Sequence, residues 1–96
     1  MRALVVEDDG AIRQLLSEVL TDRGHDVAAV GDAETGWRLI QKQHFHLMLL
    51  DWVLPGMDGL DLCRRVRARR DGDASVILTI TARGAAEHLV QVLDAG

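Results

Sequence analysis

The sequence predicts a doubly wound α/β fold, a parallel sheet with helices on both faces. Two observations lead to it. Short apolar runs alternate four times with segments of helical period, the pattern that builds parallel sheets through right-handed crossovers. The runs are apolar at successive positions, as strands buried on both faces are, and do not alternate with polar residues.

The elements follow in order. Residues 3–6, all apolar, form a short buried strand. Ile12, Leu15, Leu16, Val19 and Leu20 then recur at i, i+3, i+4, i+7 and i+8, one face of a helix that Gly24 is placed to end. Residues 25–30 read as a second strand. Asp32 is an N-cap for a second helix, in which Ala33, Trp37 and Ile40 share a face. Residues 45–51 form a third, strongly apolar strand. Pro55 and Gly56 suit a type II turn, with proline setting φ and glycine taking a positive φ. Leu62, Cys63 and Val66 face inward on a third helix that ends in arginines. Residues 75–81 are a β-branched fourth strand. Ala86, Leu89, Val92 and Leu93 mark a fourth helix, with Gly96 where a C-cap glycine would sit.

Composition bounds the function. The chain has 96 residues, enough for one small domain spanning 1–96, and 48% of them are hydrophobic, a globular value. Fifteen acidic residues against eleven basic ones give a net charge of −4, which argues against direct nucleic-acid binding by this segment. A single cysteine, Cys63, excludes an internal disulfide and a thiolate zinc cluster, and it reads as a small core hydrophobe of a cytoplasmic protein. No leader is expected at the N-terminus, and no segment reaches the roughly 20 apolar residues of a membrane span.

In a sheet of this kind ligands bind beyond the carboxyl ends of the strands. The first strand runs into Glu7, Asp8 and Asp9, the third ends in Asp51, and the fourth ends in Thr81. Three strand ends thus deliver carboxylates and a hydroxyl to one edge. Carboxylates held together call for a cation, and an all-oxygen donor set favours Mg²⁺ or a similar hard ion. The bland readings are that Asp51 caps the following loop and that Asp8 or Asp9 is the N-cap of the first helix. His44 and His46 could share a strand face but lack a third ligand for zinc. His25 and His88 read as surface residues. The arginines 64, 65, 67, 69 and 70 suit a solvated helix C-terminus, with docking of an acidic partner as the alternative. Trp37 reads as packing, and Trp52 as a fluorescent reporter near the site.

"LVVEDD", "LMLLDWVLPGMDG" and "ILTITARG" together resemble the signature blocks of the receiver domain of two-component response regulators. The resemblance covers the whole chain. It implies a flavodoxin-like topology with strand order 2-1-3-4, and Asp51 as the acceptor of a phosphoryl group from a sensor histidine kinase or a histidine phosphotransfer protein. It implies a Mg²⁺ site made by Asp8, Asp51 and the backbone carbonyl of Val53, with Glu7 acting through water, and Thr81 as the switch hydroxyl that reports to an output domain or downstream protein. It implies a signalling domain, not an enzyme with an external substrate.

Receiver domains continue into a fifth strand, ending in a lysine, and a fifth helix, neither of which is found before Gly96. The expectation is that residues 75–81 become a sheet edge prone to self-association as a homodimer. Two rival readings remain. A degenerate receiver would act only as a protein-interaction module. A phosphoaspartate hydrolase would place a second aspartate two residues after the nucleophile, where this chain has Val53.

Overall fold

The computed structural model describes residues 1–51, 59–68 and 76–80. The expected type II turn at Pro55 and Gly56, the fourth helix, Trp52, Val53, Arg69, Arg70, Thr81 and His88 lie outside the described residues, as do the side chains of Asp51 and Cys63. The elements are β1 (Arg2–Val6), α1 (Gly10–Asp22), β2 (Asp26–Val30), α2 (Ala33–Lys42), β3 (Leu47–Asp51), α3 (Gly59–Arg67) and β4 (Val76–Ile80). The strands form one sheet in the order β2-β1-β3-β4, and each neighbouring pair is parallel.

Side chains alternate across the two central strands and build two cores. Leu4 and Val6 of β1 join Met48 and Leu50 of β3 on the face covered by α2 and α3, through Ala33, Ile40, Leu62 and Val66. Ala3 and Val5 join Leu47 and Leu49 on the opposite face, against Leu16 and Leu20 of α1. This explains why the runs are apolar throughout: both pleat faces are covered. Phe45, just before β3, is fully buried in the first core. Burying each such side chain contributes about 1.5–3 kcal/mol.

The helix ends follow local chemistry. Asp9 caps α1, its carboxylate accepting from the amides of Ala11 and Ile12 at 3.0 and 3.1 Å. Gly24 takes φ 86°, its N–H donating to the Thr21 carbonyl at 3.0 Å while the His25 N–H donates to the Leu20 carbonyl at 3.1 Å. This Schellman pair closes α1 where the glycine predicts it. Asp32 caps α2 through the Thr35 amide at 2.7 Å and the Thr35 hydroxyl at 2.9 Å.

Some expectations are corrected. Leu15 is 47% exposed and is not part of the buried stripe. Each residue turns a helix by about 100°, and a stripe centred on Leu16 and Leu20 leaves Leu15 on its far flank. His25 belongs to the turn before β2 and is half-buried, because the Schellman bond folds it back on α1. His44 and His46 precede β3; their rings meet edge-to-face at 4.8 Å and do not line a strand face. Gly36 is a requirement that the apolar pattern conceals. It is buried where α2 crosses β1, and a Cβ there would sit 2.9 Å from Val6 Cγ2.

Candidate functional site

Because every strand pair is parallel, the carboxyl ends of all four strands share one edge of the sheet. Val6 of β1 stands opposite Leu50 of β3, and Asp51 stands opposite Ile80 of β4. Glu7 and Asp51 are therefore the residues that immediately follow the last β1–β3 pair. The Glu7 amide extends the ladder on its other side by donating to the Val30 carbonyl at 3.1 Å. Register alone brings these two acidic positions to neighbouring strand ends.

The three acids after β1 stand in different environments. Glu7 is fully buried, and its Oε1 accepts from the Asp9 amide at 3.1 Å. Burial of a carboxylate disfavours its charge, and hydrogen bonding to the charged form offsets part of that cost. Asp8 is exposed at the same edge. Asp9 is exposed and turned to capping, so one of the two bland readings holds for it. The expected pair, Glu7 and Asp8, is thus separated from a third acid whose task is local.

Arg13, which the sequence reading passed over, enters this edge from the first turns of α1. Its Nη1 donates to the Glu7 carbonyl at 2.9 Å and lies 3.5 Å from that of Asp8. The guanidinium also lies against Gly31, at the mouth of the β2–α2 loop: a Cβ there would be 3.2 Å from Nη1. An apolar period does not register a basic residue that folds back on its own helix entry, so only the glycines facing it, Gly10 and Gly31, could have hinted at it.

Among the described residues no three His, Cys, Asp or Glu side chains form a metal-holding group. The described part of the acidic edge supplies two carboxylates, one buried and one exposed. An all-oxygen donor set fits a hard cation, and a buried carboxylate beside a second one gains from a positive charge. Thr81 and Val53 lie outside the described residues, so the structure brings together Glu7, Asp8 and the backbone position of Asp51.

Elsewhere the chemistry is plainer. Thr35 holds the Asp32 carboxyl below its ordinary range, through its amide first and its hydroxyl second. Arg64 and Arg65 are exposed on α3; Arg64 lies 3.9 Å from Asp61, and Arg65 covers the Trp37 ring at 5.9 Å. An open cleft of about 200 Å³ at the β2 side is lined by Arg2, Asp26, Gln43 and Phe45. Arg2 and Asp26 begin their strands, so this cleft lies at the edge opposite the acids. No described helix is long and apolar enough to cross a membrane.

The open parallel sheet with helices on both faces and acids at its carboxyl edge places the chain in the class of doubly wound α/β domains. Within it, this chain belongs to the response regulator receiver domain family, which it matches over residues 3–96. It is 43% identical over 96 residues to the two-component response regulator PhoP of Pseudomonas aeruginosa, covering 100% of this chain and 42% of that protein. It is 41% identical over 93 residues to the transcriptional regulatory protein AfsQ1 of Streptomyces coelicolor, covering 97% of this chain and 40% of that one. The chain thus spans about two fifths of the length of these curated relatives. The fold matches the chemotaxis protein CheY4 of Vibrio cholerae with a TM-score of 0.86 at 23% identity, over 98% of this chain and 96% of that one. It also matches the receiver domain of the sensor histidine kinase PA1611 of Pseudomonas aeruginosa, TM-score 0.79 at 28% identity, over 99% of this chain and 78% of that one. That structure carries a magnesium ion in its active-site cleft.

Proposed function

We propose that this receiver domain accepts a phosphoryl group on Asp51 from a histidine kinase or a histidine phosphotransfer protein, with Mg²⁺ held by Glu7, Asp8, Asp51 and the Val53 carbonyl. The observation that carries the reading is the register that sets Glu7 and Asp51 at adjoining strand ends, with Glu7 fully buried. A carboxylate oxygen of Asp51 attacks phosphorus. The new O–P bond forms as the P–N bond to the donor imidazole breaks, and the electron pair leaves with that nitrogen. Such transfer depends on in-line positioning and on neutralising spread negative charge more than on covalent help. The cation supplies that neutralisation when bound. Glu7 and Asp8 would hold it, and the buried strand ends keep the acceptor in place.

Thr81 follows β4 directly in the chain and is the switch hydroxyl in this reading, donating to a phosphoryl oxygen. A two-state loop biased by that contact carries the signal to an output domain or downstream protein. The magnesium ion in the PA1611 receiver domain supports the choice of metal. The protein works in the cytoplasm in this reading. Incubation with acetyl phosphate tests it: acid-labile labelling that needs Mg²⁺ and fails with chelator supports the proposal, and no labelling under either condition overturns it in favour of an interaction module.

A further inference from the structure

Arg13 stands apart from the proposed metal ligands, yet it is the residue whose side chain grips their backbone. Its Nη1 donates to the carbonyl of Glu7 at 2.9 Å and approaches that of Asp8 at 3.5 Å. Those carbonyls belong to two of the three residues whose carboxylates the proposal assigns to Mg²⁺. The guanidinium packs against the backbone at Gly31, immediately after β2 ends at Val30, whose carbonyl receives the Glu7 amide. The Arg13 amide donates to the Asp9 carbonyl at 2.9 Å, and its own carbonyl accepts from the Ser17 hydroxyl at 2.8 Å, so α1 anchors its backbone. One side chain thus spans the β1–α1 and β2–α2 connections at the acidic edge.

We infer that Arg13 is a positioning residue for the cation site: it holds the Glu7–Asp8 backbone from which both carboxylates project. This rests on the reading of that edge as a Mg²⁺ site. The inference has a sign that a plain charge effect lacks. A guanidinium near a cation site repels the cation, so removing it as a charge should tighten Mg²⁺ binding. Removing it as a positioning group should weaken binding, as loss of groups that orient metal ligands does.

The test is calorimetric titration of the chain with MgCl₂, with thermal melts run alongside. Arg13→Met keeps length and apolar bulk but removes every donor. Gly31→Ala keeps the charge but puts a methyl 3.2 Å from Nη1, so the guanidinium must give by a few tenths of an ångström where it meets the carbonyls. Arg13→Met is expected to weaken Mg²⁺ binding about tenfold, and Gly31→Ala to weaken it in the same direction but by less. Arg13→Lys keeps the charge without the planar fork and is expected to fall between Arg13→Met and the unaltered chain. Unchanged or tighter binding in folded Arg13→Met and Gly31→Ala overturns the inference alone. Absence of Mg²⁺ binding by the unaltered chain overturns the site reading and the inference with it. Should Arg13→Met fail to melt cooperatively, Gly31→Ala decides the matter.

Discussion

The Asp9 amide donates to Glu7 Oε1 at 3.1 Å, while the Asp9 carboxylate turns the other way and caps α1. Two acids two residues apart are thus tied by a backbone donor, with their charges directed to different tasks. A cluster that looks self-repelling in the sequence is divided by this bond into a buried acid and a cap.

Asp9→Ala should lower stability by about 1 kcal/mol, the usual loss for an N-cap, while Asp9→Asn should cost much less because the amide oxygen still accepts. Urea unfolding of the pair checks this. An equal loss in both would mean that the charge of Asp9, and not its capping geometry, matters.

Asp8→Asn should stabilise the metal-free chain by relieving repulsion with Glu7 and should weaken Mg²⁺ binding. In the unaltered chain, Mg²⁺ at a hundredfold excess over its Kd should add about 2.7 kcal/mol of stability by mass action. Melting curves with and without millimolar Mg²⁺ read both effects. A melt of the unaltered chain that is insensitive to Mg²⁺, or an Asp8→Asn melt that responds to Mg²⁺ as strongly as the unaltered chain, would contradict them.

The Asp32 cap predicts a pH dependence. Its carboxyl lies below the ordinary value of 3.8 in the folded chain because Thr35 donates to it. The unfolded chain therefore binds more protons in that window, and stability rises with pH there. The contribution is complete above the unfolded value and fades as pH falls from about 5 through the folded one. Asp32→Ala should lose about 1 kcal/mol at neutral pH and show a shallower acid limb. Parallel acid limbs in the two proteins would refute the assignment.

Gly36→Ala should destabilise, although alanine is the better helix former by about 1 kcal/mol. The new methyl would meet Val6 Cγ2 at 2.9 Å, and a β-branched strand residue cannot swing aside easily. Overpacking of this kind costs roughly 1–3 kcal/mol. In the Val6→Ala background the same change should be less harmful, and a double-mutant cycle measures the coupling. Additive effects would show that Gly36 is needed for another reason.

The strand–helix alternation, the Gly24 stop and the Asp32 cap were readable because each is a local signal with one physical cause. The family was legible as a resemblance carried by three blocks, "LVVEDD", "LMLLDWVLPGMDG" and "ILTITARG", and the sheet order came with that resemblance. Boundaries were less so: residues 25, 45 and 46 lie outside the strands expected to hold them, because His25 is taken up by the Schellman turn and Phe45 is buried ahead of β3, although the His46 amide already donates to the Arg2 carbonyl of β1 at 2.9 Å. Leu15 shows that a period identifies a stripe but not its centre. Arg13 and Gly36 were silent because their roles arise where separate elements approach each other, and a single sequence does not display such distances.

The central claim is that the phosphoryl group resides on Asp51. Treatment of the acetyl-phosphate-labelled chain with borohydride reduces an aspartyl phosphate to a stable alcohol, and peptide mapping then locates it. The account predicts reduction at position 51, dependent on Mg²⁺ and absent in Asp51→Asn. Reduction at Asp8 or Asp9 instead, or persistence of the label in Asp51→Asn, would contradict it.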